Sequence, residues 1–464
     1  MVGAHGRAHF SGRERLANRT ERRVATDVRT TEGFSRAAVE ALSAARNEPD
    51  WLREWRLAAW ATYEATPMPT RQDEDWRRTD LRALKLDQFA PVLAPPAAPV
   101  VEEALGPYLA PDTDTGGLLV LQDGALVARE LRAALDAGVV LTTLERAVRE
   151  HPELVRRYLG SVAPASAGKF PALNAAFWDG GAFVYVPRNV AVALPLAVLT
   201  WQQTPGAALF PRTLVILEQG ASLTLVAEVR SLDQDAPALS SSVAELVVGD
   251  NAELRYAALQ RWGRHMWHFG FERATLGRDA RLHWGIGALG GRLSKSYIQA
   301  VLAAPGASLR TVGAVLADGT QHFDHQTLQH HVAPHTASDL GFRAVVTDSA
   351  RSVFSGLIHV EKQAQQTDAY LQNRNLLLSE KAKADSIPRL EIEANDVRCT
   401  HGATVAPVDP EQVFYLRTRG LTHDEAERMI VAGFFEPLLD TVPVEGLRER
   451  LRAALAEKME RSHG

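Results

Sequence analysis

Hydrophobic and polar positions divide this 464-residue chain into three stretches with different periodicity. Between residues 34 and 66, apolar side chains recur at the spacing of one helix face, as in Trp51, Leu52, Trp55, Ala59 and Tyr63. From about residue 166 to 407, that spacing gives way to short apolar runs separated by Gly, Asp, Asn and Pro, which is typical of strands and turns. Helical spacing returns afterwards. The pattern therefore predicts helices, then many short strands, then helices.

The N-terminal third predicts a mixed, mainly helical domain over residues 34–165. Within it, Leu118–Val127 contains two apolar runs around an Asp-Gly pair, which predicts a hairpin. Two short helices are expected on either side of Pro152. Residues 1–33 are rich in Arg, carry several acidic residues and lack the apolar segment of a secretory signal, so we expect a disordered extension.

A short cassette recurs inside the strand-rich stretch of residues 166–407. Each copy has a Gly near a turn, followed by Ala-x-Leu at the start of a strand, and the copies begin at Gly220, Gly249, Gly277 and Gly306. Their leucines lie 31, 28 and 27 residues apart: Leu223, Leu254, Leu282 and Leu309. A period of about 30 residues without helices indicates stacked β-units that bury their apolar faces on one another.

The spacing of the cassette favours a parallel β-helix over two other β folds. A propeller needs a longer repeat, of about 40–50 residues per blade, and a β-sandwich does not require a recurring cassette. We therefore predict a mainly β fold, with a right-handed parallel β-helix core over residues 166–407 and flanking helical domains.

Residues 408–464 predict a C-terminal helical domain. Thr422 and Glu425 have the spacing of a capping box, and Pro437 is expected to end the helix that they begin. A second amphipathic helix is predicted by the spacing of Leu447, Leu451, Ala454, Leu455 and Met459. The apolar faces either pack on the β-core or insert into a partner, and packing is the favoured alternative.

Composition and charge exclude several classes of function. Hydrophobic residues make up 46% of the chain and charged residues 23%, as in an ordinary globular protein. The net charge of −5 gives no electrostatic case for binding nucleic acid or an anionic membrane. No apolar run is as long as the roughly 18 residues that a membrane-spanning helix needs. A single cysteine excludes an internal disulfide framework and fits a cytoplasmic protein.

Common catalytic signatures are missing from the sequence. No G-x-x-x-x-G-K-[ST] loop is present, since Gly168-Lys169 lacks the upstream Gly and is followed by Phe170. We also find no H-E-x-x-H, C-x-x-C or G-x-S-x-G motif. The chain is therefore expected not to hydrolyse ATP, and we expect it not to be an enzyme.

The lone cysteine, Cys399, and His401 are the candidate metal ligands. They are two residues apart in an extended run that follows the turn at Asn395-Asp396, so the thiol and the imidazole are expected on one face of a strand. A thiolate and a neutral imidazole suit iron, zinc or copper(I). Two ligands do not complete a site, so others must come from elsewhere in the chain or from a second chain. The alternative is that Cys399 is a small buried structural residue.

Five histidines within fourteen residues form a second candidate group: His322, His325, His330, His331 and His335. Such a group could supply metal ligands. On a strand, His325 and His331 share one face and His330 is on the other, so a single site built from all five is not expected. The alternative is a set of structural histidines near turns and interfaces.

The run from Leu390 to Thr404, which includes Cys-Thr-His-Gly, and the earlier segment Asn373–Ser379 resemble the signature of the SufB/SufD family. That family comprises scaffold components of the Suf iron–sulfur cluster assembly machinery. The resemblance extends from about Lys169 to Pro437. It also includes, weakly, the segment Glu74–Thr79 near the N terminus, which we call the Trp76 element. It implies a β-helix core.

Two departures favour the SufD branch of that family. SufB-type chains have an essential cysteine in the segment that matches Gln372–Asn375, where this chain has none. They also lack the cysteine of the Cys-x-His-Gly run. The resemblance implies a non-catalytic subunit that pairs with a SufB-type paralogue and holds a transient iron–sulfur cluster at the shared β-helix interface. It also implies that residues 408–464 dock a SufC-type ABC ATPase. A homodimer is the alternative assembly.

Two other functions are alternatives to the scaffold role. A β-helix enzyme that acts on polysaccharide would line a groove with acidic and basic side chains, for which Asp368, Arg374, Lys381 and Asp385 are the candidates. A stand-alone metal carrier would use the histidine-rich segment instead.

Overall fold

The computed structural model describes residues 33–92, 115–131, 138–440 and 445–462. The predicted disordered extension therefore lies outside the described residues, apart from residue 33. The helices of the described ranges are α1 (Arg36–Ala45), α2 (Asp50–Ala65), α3 (Leu144–Glu150), α4 (Pro152–Tyr158), α5 (Lys169–Phe177), α6 (Pro410–Thr418), α7 (His423–Leu439) and α8 (Glu445–Ser462).

The strands form two long sheets. Sheet A contains β1 (Ala90–Pro91), β4 (Val140–Thr143), β5 (Ala182–Val186), β7 (Ala207–Leu209), β8 (Arg212–Leu217), β10 (Ala238–Val248), β12 (Met266–Leu276), β14 (Leu293–Leu302), β16 (His322–His331), β18 (Arg351–Val360) and β20 (Lys383–Ile392). Sheet B contains β2 (Gly117–Gln122), β3 (Ala125–Leu131), β6 (Leu196–Gln202), β9 (Ser222–Ser231), β11 (Glu253–Arg261), β13 (Arg281–Ala288), β15 (Ser308–Ala317), β17 (Ala337–Val346), β19 (Thr367–Leu377) and β21 (Val397–Pro407).

From β8 onwards, successive strands alternate between the two sheets, and each pairs in parallel with the strand one coil earlier. One coil is thus one strand of sheet A followed by one strand of sheet B. The cassette leucines are direct register partners: Leu254 pairs with Leu223 and Leu282, and Leu282 pairs with Leu309. The predicted parallel β-helix core is confirmed, and the hand of the coil stays a prediction.

The backbone of the corner, the loop that leads from a strand of sheet A into the next strand of sheet B, explains why glycine recurs in the cassette. Two residues before the strand, the backbone is left-handed at Gly306 (φ 77°) and also at Asn251 and Asp279 (φ 56° and 53°), residue types that tolerate this conformation. Gly249 has a different role, since a Cβ there would be 2.7 Å from the carbonyl oxygen of Leu217. Glycine therefore recurs in the cassette for two separate reasons.

The N-terminal region continues the sheets and covers the outside of sheet A. The predicted hairpin is confirmed by β2 and β3, and β2 also pairs in parallel with β6. The helices pack against sheet A through a cluster that includes Trp60, Phe177 and Phe210. The domain boundaries at residues 34, 166 and 408 stay predictions, and both sheets extend into the N-terminal third through β2, β3 and β4.

The C-terminal helices pack on the outside of sheet B, as favoured from the sequence. Phe435 and Leu438 are buried in a cluster with Leu316 and Val345 of the sheet. The expectation that Pro437 ends α7 is wrong, because the helix continues to Leu439. Pro437 is in the last turn, where its missing N–H removes one bond, and the buried residues after it keep that turn in place. Among the described helices, none is long and apolar enough to cross a membrane.

Candidate functional site

The stack of coils ends at β20 and β21, and this last coil is uncovered. Within the described part of the chain, β20 pairs with β18 and β21 pairs with β19, and no strand pairs with their outer edges. Such edges present free backbone N–H and C=O groups to any chain that can add a strand or stack a coil. We call this surface the open end and define it by Leu390, Ile392, Cys399, His401 and Val405.

Both predicted ligands lie at the open end, on the same side of β21. Cys399 pairs in register with Ala369 and His401 with Leu371, and both of those partners are buried interior residues. Cys399 is half-buried and packs against the interior core, whereas His401 is exposed. The expectation that thiol and imidazole share one face of a strand agrees with this register. Their role as ligands stays a prediction.

The environment of Cys399 favours the protonated thiol. Burial raises the pKa of the Cys399 thiol, and the nearby charge of Asp368 raises it further, while a backbone hydrogen bond involving Ala369 acts in the opposite direction. A metal ion binds the thiolate, so binding must release this proton. The cysteine is therefore not an activated nucleophile in the chain by itself.

Apolar side chains are also exposed on the last coil, which carries the two candidate ligands. Ile392 is 39% exposed and Val405 is 44% exposed, although their register partners in the preceding coil, Val360 and Asn375, are buried. Leu390 and Ala384 are only partly buried against the interior core. The core of the solenoid therefore reaches solvent at this end.

The histidine-rich segment does not form one site. His325 and His331 are buried on the inner side of β16, whereas His330 is half-buried on its outer side. The ring nitrogens of His331 are both hydrogen-bonded, Nδ1 at 2.7 Å from Thr336 Oγ1 and Nε2 at 2.8 Å from Ser338 Oγ. This histidine is therefore structural.

The remaining two histidines of the segment have separate surroundings. His335 occupies the left-handed corner position (φ 58°) that Asn251 and Asp279 occupy in earlier coils. His322 Nε2 is 3.1 Å from Thr79 Oγ1, on the outer side of sheet A. The expectation that the five histidines do not make a single site is confirmed.

Asp324, in the same segment, holds the N-terminal Trp76 element against sheet A. Its carboxylate is 2.7 Å from Nζ of Lys295, and both side chains are fully buried. Thr79 donates a hydrogen bond to the same carboxylate, and Lys295 also donates to the backbone carbonyl of Asp75 at 2.5 Å. A buried charge pair with these additional hydrogen bonds is a structural connection between the N-terminal region and the solenoid.

Sequence reasoning missed two features. His330 stacks on His359 and contacts Glu361. The signal in the sequence is their spacing of 29 residues, which is close to the cassette intervals but does not by itself fix the register. Inside the solenoid, His268, Glu272 and His325 border a cavity of about 80 Å³. Burial lowers the pKa of His268 to about 3 and raises that of Glu272 to about 7. Nothing local in the sequence separates these polar residues from surface residues.

The four candidates for a polysaccharide groove are not brought together. Asp368 and Arg374 are on β19 in sheet B, Lys381 is in the turn between β19 and β20, and Asp385 is on β20 in sheet A. Asp385 is already paired with Arg351 at 2.7 Å and with Arg78 at 3.4 Å. The arrangement offers no acid–base pair along one groove.

Comparison with known proteins matches most of the chain to one family. The family model described as "SUF system FeS cluster assembly, SufBD core domain" matches residues 200–434, and "SufBD protein N-terminal region" matches residues 38–198. The chain belongs to the SufBD family. This SufBD-family protein is 30% identical over 430 residues to an iron–sulfur cluster assembly SufBD family protein of Staphylococcus saprophyticus, covering 90% of this chain and 91% of the relative. A relative from Staphylococcus aureus is 29% identical over the same shares of both chains.

Family membership supports a role in iron–sulfur cluster assembly. The donor set at the open end fits iron as cargo, because thiolate and imidazole are both iron ligands. These two candidate ligands alone would leave the coordination of iron incomplete, and both are at a surface from which further ligands could approach. The SufBD core model covers Cys399 and His401 as well as the last coil on which they lie.

Proposed function

We propose that this SufBD-family chain is a SufD-type scaffold subunit, non-catalytic, that pairs through its open end with a SufB-type paralogue. The observation that carries the proposal is the uncovered last coil with Cys399 and His401 on its interior-facing column. Terminal repeats of solenoid proteins need a polar outer face for solubility, whereas this one presents Ile392 and Val405. A second solenoid end would cover these side chains and continue both sheets.

The cluster would be assembled where the two solenoids meet. His401 is exposed and Cys399 is half-buried beside it, so a paralogue that supplies a thiolate from the opposite end would complete a set of soft ligands. The cluster is transient cargo of the assembly. A free thiol in this role requires a reducing compartment, so we place the complex in the cytoplasm.

A SufC-type ABC ATPase would dock on the C-terminal helices. Phe414 and Tyr415 on α6 are 70% and 57% exposed, and Met429 on α7 is 52% exposed. Exposed aromatic and Met side chains of this kind are enriched in protein interfaces. Since the sequence has no phosphate-binding loop, the energy of nucleotide hydrolysis would come from that partner.

Co-expression with a SufB-type paralogue and a SufC-type ATPase tests the proposal. We expect the three chains to co-purify, and His401→Ala to lower the iron and sulfide recovered per complex without dissociating it. Thr404→Ala is the matched control, because this residue is exposed on the same strand. Unchanged cluster content in His401→Ala would remove the site, and failure of the chains to co-purify would remove the scaffold role. A chain that self-associates through Ile392 and Val405 would make the homodimer the assembly instead.

A further inference from the structure

His330 and His359 form a stacked pair on the outer face of sheet A. They are the register partners near the ends of β16 and β18, and their ring centroids are 4.6 Å apart with only 2° between the ring planes. This separation is close to the distance of about 4.7–4.9 Å between paired strands, so the parallel register itself aligns the rings. Their side chains are 20% and 24% exposed. Both imidazoles are therefore held in place and still accessible.

A carboxylate completes the group. Glu361 directly follows β18, and its Oε1 is 3.0 Å from Nε2 of His330. One ligand atom from each of His330, His359 and Glu361 lies within 4.8 Å of the other two. Glu393, one coil further on, has an oxygen 3.8 Å from Nε2 of His359. We call His330, His359 and Glu361 the outer triad.

The outer triad differs from the structural histidines of the same strand. His331, next to His330, is buried with both ring nitrogens hydrogen-bonded to hydroxyl groups of the chain. The outer imidazoles face a carboxylate and solvent instead. Two imidazoles and one carboxylate are the donor set that proteins use for Zn²⁺ and for Fe²⁺ with open coordination positions. Bond lengths of about 2.0–2.2 Å put the ligand atoms of one ion about 3–4 Å apart, which side-chain rotations of the triad can provide.

We propose that the outer triad is a binding site for one divalent first-row transition ion, Zn²⁺ or Fe²⁺. The ligands come from two adjacent coils, so the ion would cross-link β16 and β18 on the outside of sheet A. The open coordination positions would be filled by water or by Glu393. The site is separate from Cys399 and His401, which are on β21 in sheet B, and it does not depend on the proposed scaffold role.

Titration of the 464-residue chain tests this site independently of cluster assembly. The background is the double variant Cys399→Ser/His401→Ala, so that any ion bound at the open end is removed from the count. Metal-free protein is titrated calorimetrically with Zn²⁺ and, under anaerobic conditions, with Fe²⁺. We expect one ion per chain with at least one of the two metals.

Variants of the triad decide the assignment. His359→Ala and His330→Ala are each expected to weaken binding at least about tenfold, the loss that even outer partners of metal ligands cause. His335→Asn is the matched control, because it removes a nearby exposed histidine and places in the left-handed corner a residue that tolerates it. Equal circular dichroism and thermal midpoints in metal-free buffer check folding. Equal affinity in His330→Ala, His359→Ala and the background, or no binding of either metal, would show that the triad is only a surface ion pair.

Discussion

His401 is the register partner of Leu371, yet Leu371 is fully buried and His401 is exposed. Both occupy the same interior column of sheet B. A further coil covers Leu371, whereas no coil among the described residues covers His401. The last coil is therefore built like the coils before it, but its interior face is partly exposed to solvent. This explains how the two candidate ligands, Cys399 and His401, and an apolar surface come to lie together at one end of the solenoid.

Charge at the open end is expected to prevent association with the partner solenoid. Ile392→Glu and Val405→Glu each introduce a carboxylate into a surface that would be desolvated, and we expect association to weaken at least about tenfold. The chain itself should keep its thermal midpoint, since both side chains are already partly exposed. Size-exclusion chromatography with light scattering measures the association. Leu232→Glu is the control, because Leu232 is 56% exposed away from the open end; an equal effect there would contradict the prediction.

Removal of a buried charge next to Arg212 is expected to destabilise sheet A of the solenoid, because the charge pair links β8 with β10. Glu245 accepts from Arg212 at 2.6 Å, and both side chains are fully buried. Glu245→Gln leaves the guanidinium without its counter-charge, which costs about 3–5 kcal/mol. We expect a marked drop in the thermal midpoint. Glu253→Gln is the control, since its partners Arg281 and Arg255 have side chains that are 54% and 44% exposed and such pairs contribute at most about 1 kcal/mol each.

Histidines inside the solenoid are expected to make the fold sensitive to acid. Burial lowers the pKa of His325 to about 4, with the charge of Lys295 acting in the same direction and that of Asp324 opposing it. Between about pH 4 and 6.5 the unfolded chain binds a proton at this residue and the folded chain does not, so its contribution to stability falls as the pH is lowered. In His325→Gln, the free energy of unfolding should fall less as the pH is lowered, by up to about 3 kcal/mol. Thermal midpoints measured from pH 4 to 7 compare the two proteins.

Glu272 is expected to give the opposite pH dependence. Burial raises the pKa of its carboxyl to about 7, so between about pH 4.5 and 7 the unfolded chain loses a proton that the folded chain keeps. Its contribution to stability therefore falls as the pH rises through this range. Relative to the unmodified chain, Glu272→Gln should gain stability from pH 5 to pH 8. A difference between the two proteins that stays constant with pH would show that Glu272 is ionised in the fold.

Lys458 is expected to hold the C-terminal helix on the solenoid. Its buried ammonium donates to the carbonyl oxygens of Leu289 and Leu316, which belong to successive coils, and to Oε1 of Gln321 at 2.6 Å. Lys458→Met leaves these acceptors unsatisfied, so amide hydrogen exchange in α8 should accelerate while exchange in β11 and β13 stays slow. Arg452→Met is the control, because the Arg452 pair with Glu436 is exposed. Equal protection of α8 in both variants would contradict the prediction.

The β-helix core could be predicted from the sequence because the cassette leucines recur at a spacing of about one coil. The corner residues could not be aligned in advance, since a left-handed position is filled by Gly306, Asp279 or His335 in different coils. The same uncertainty hid the outer triad. His330 and His359 are adjacent only after the register is known, and coil lengths that vary by a few residues do not fix that register from the sequence.

The candidate site at the open end could be predicted more completely. Two residues on one strand face share a side whatever the register, so the pairing of Cys399 with His401 required only the strand assignment. Their exposure could not be predicted, because an identical pattern in an earlier coil would be buried. The error at Pro437 has the same origin, since burial of Leu438 and Leu439 by sheet B outweighs a local signal that would end a free helix.

The parallel register of the coils also limits how proteins of this shape can change in length. A residue inserted within a strand would move every later side chain of that strand to the opposite face of the sheet, whereas a duplicated coil would present the same column of side chains to its neighbours. We therefore expect proteins of this shape to differ in length by whole coils, or by residues inserted in the loops between strands. The last coil, with its thiol and imidazole, can in this way stay at the end of the solenoid whatever the number of coils before it.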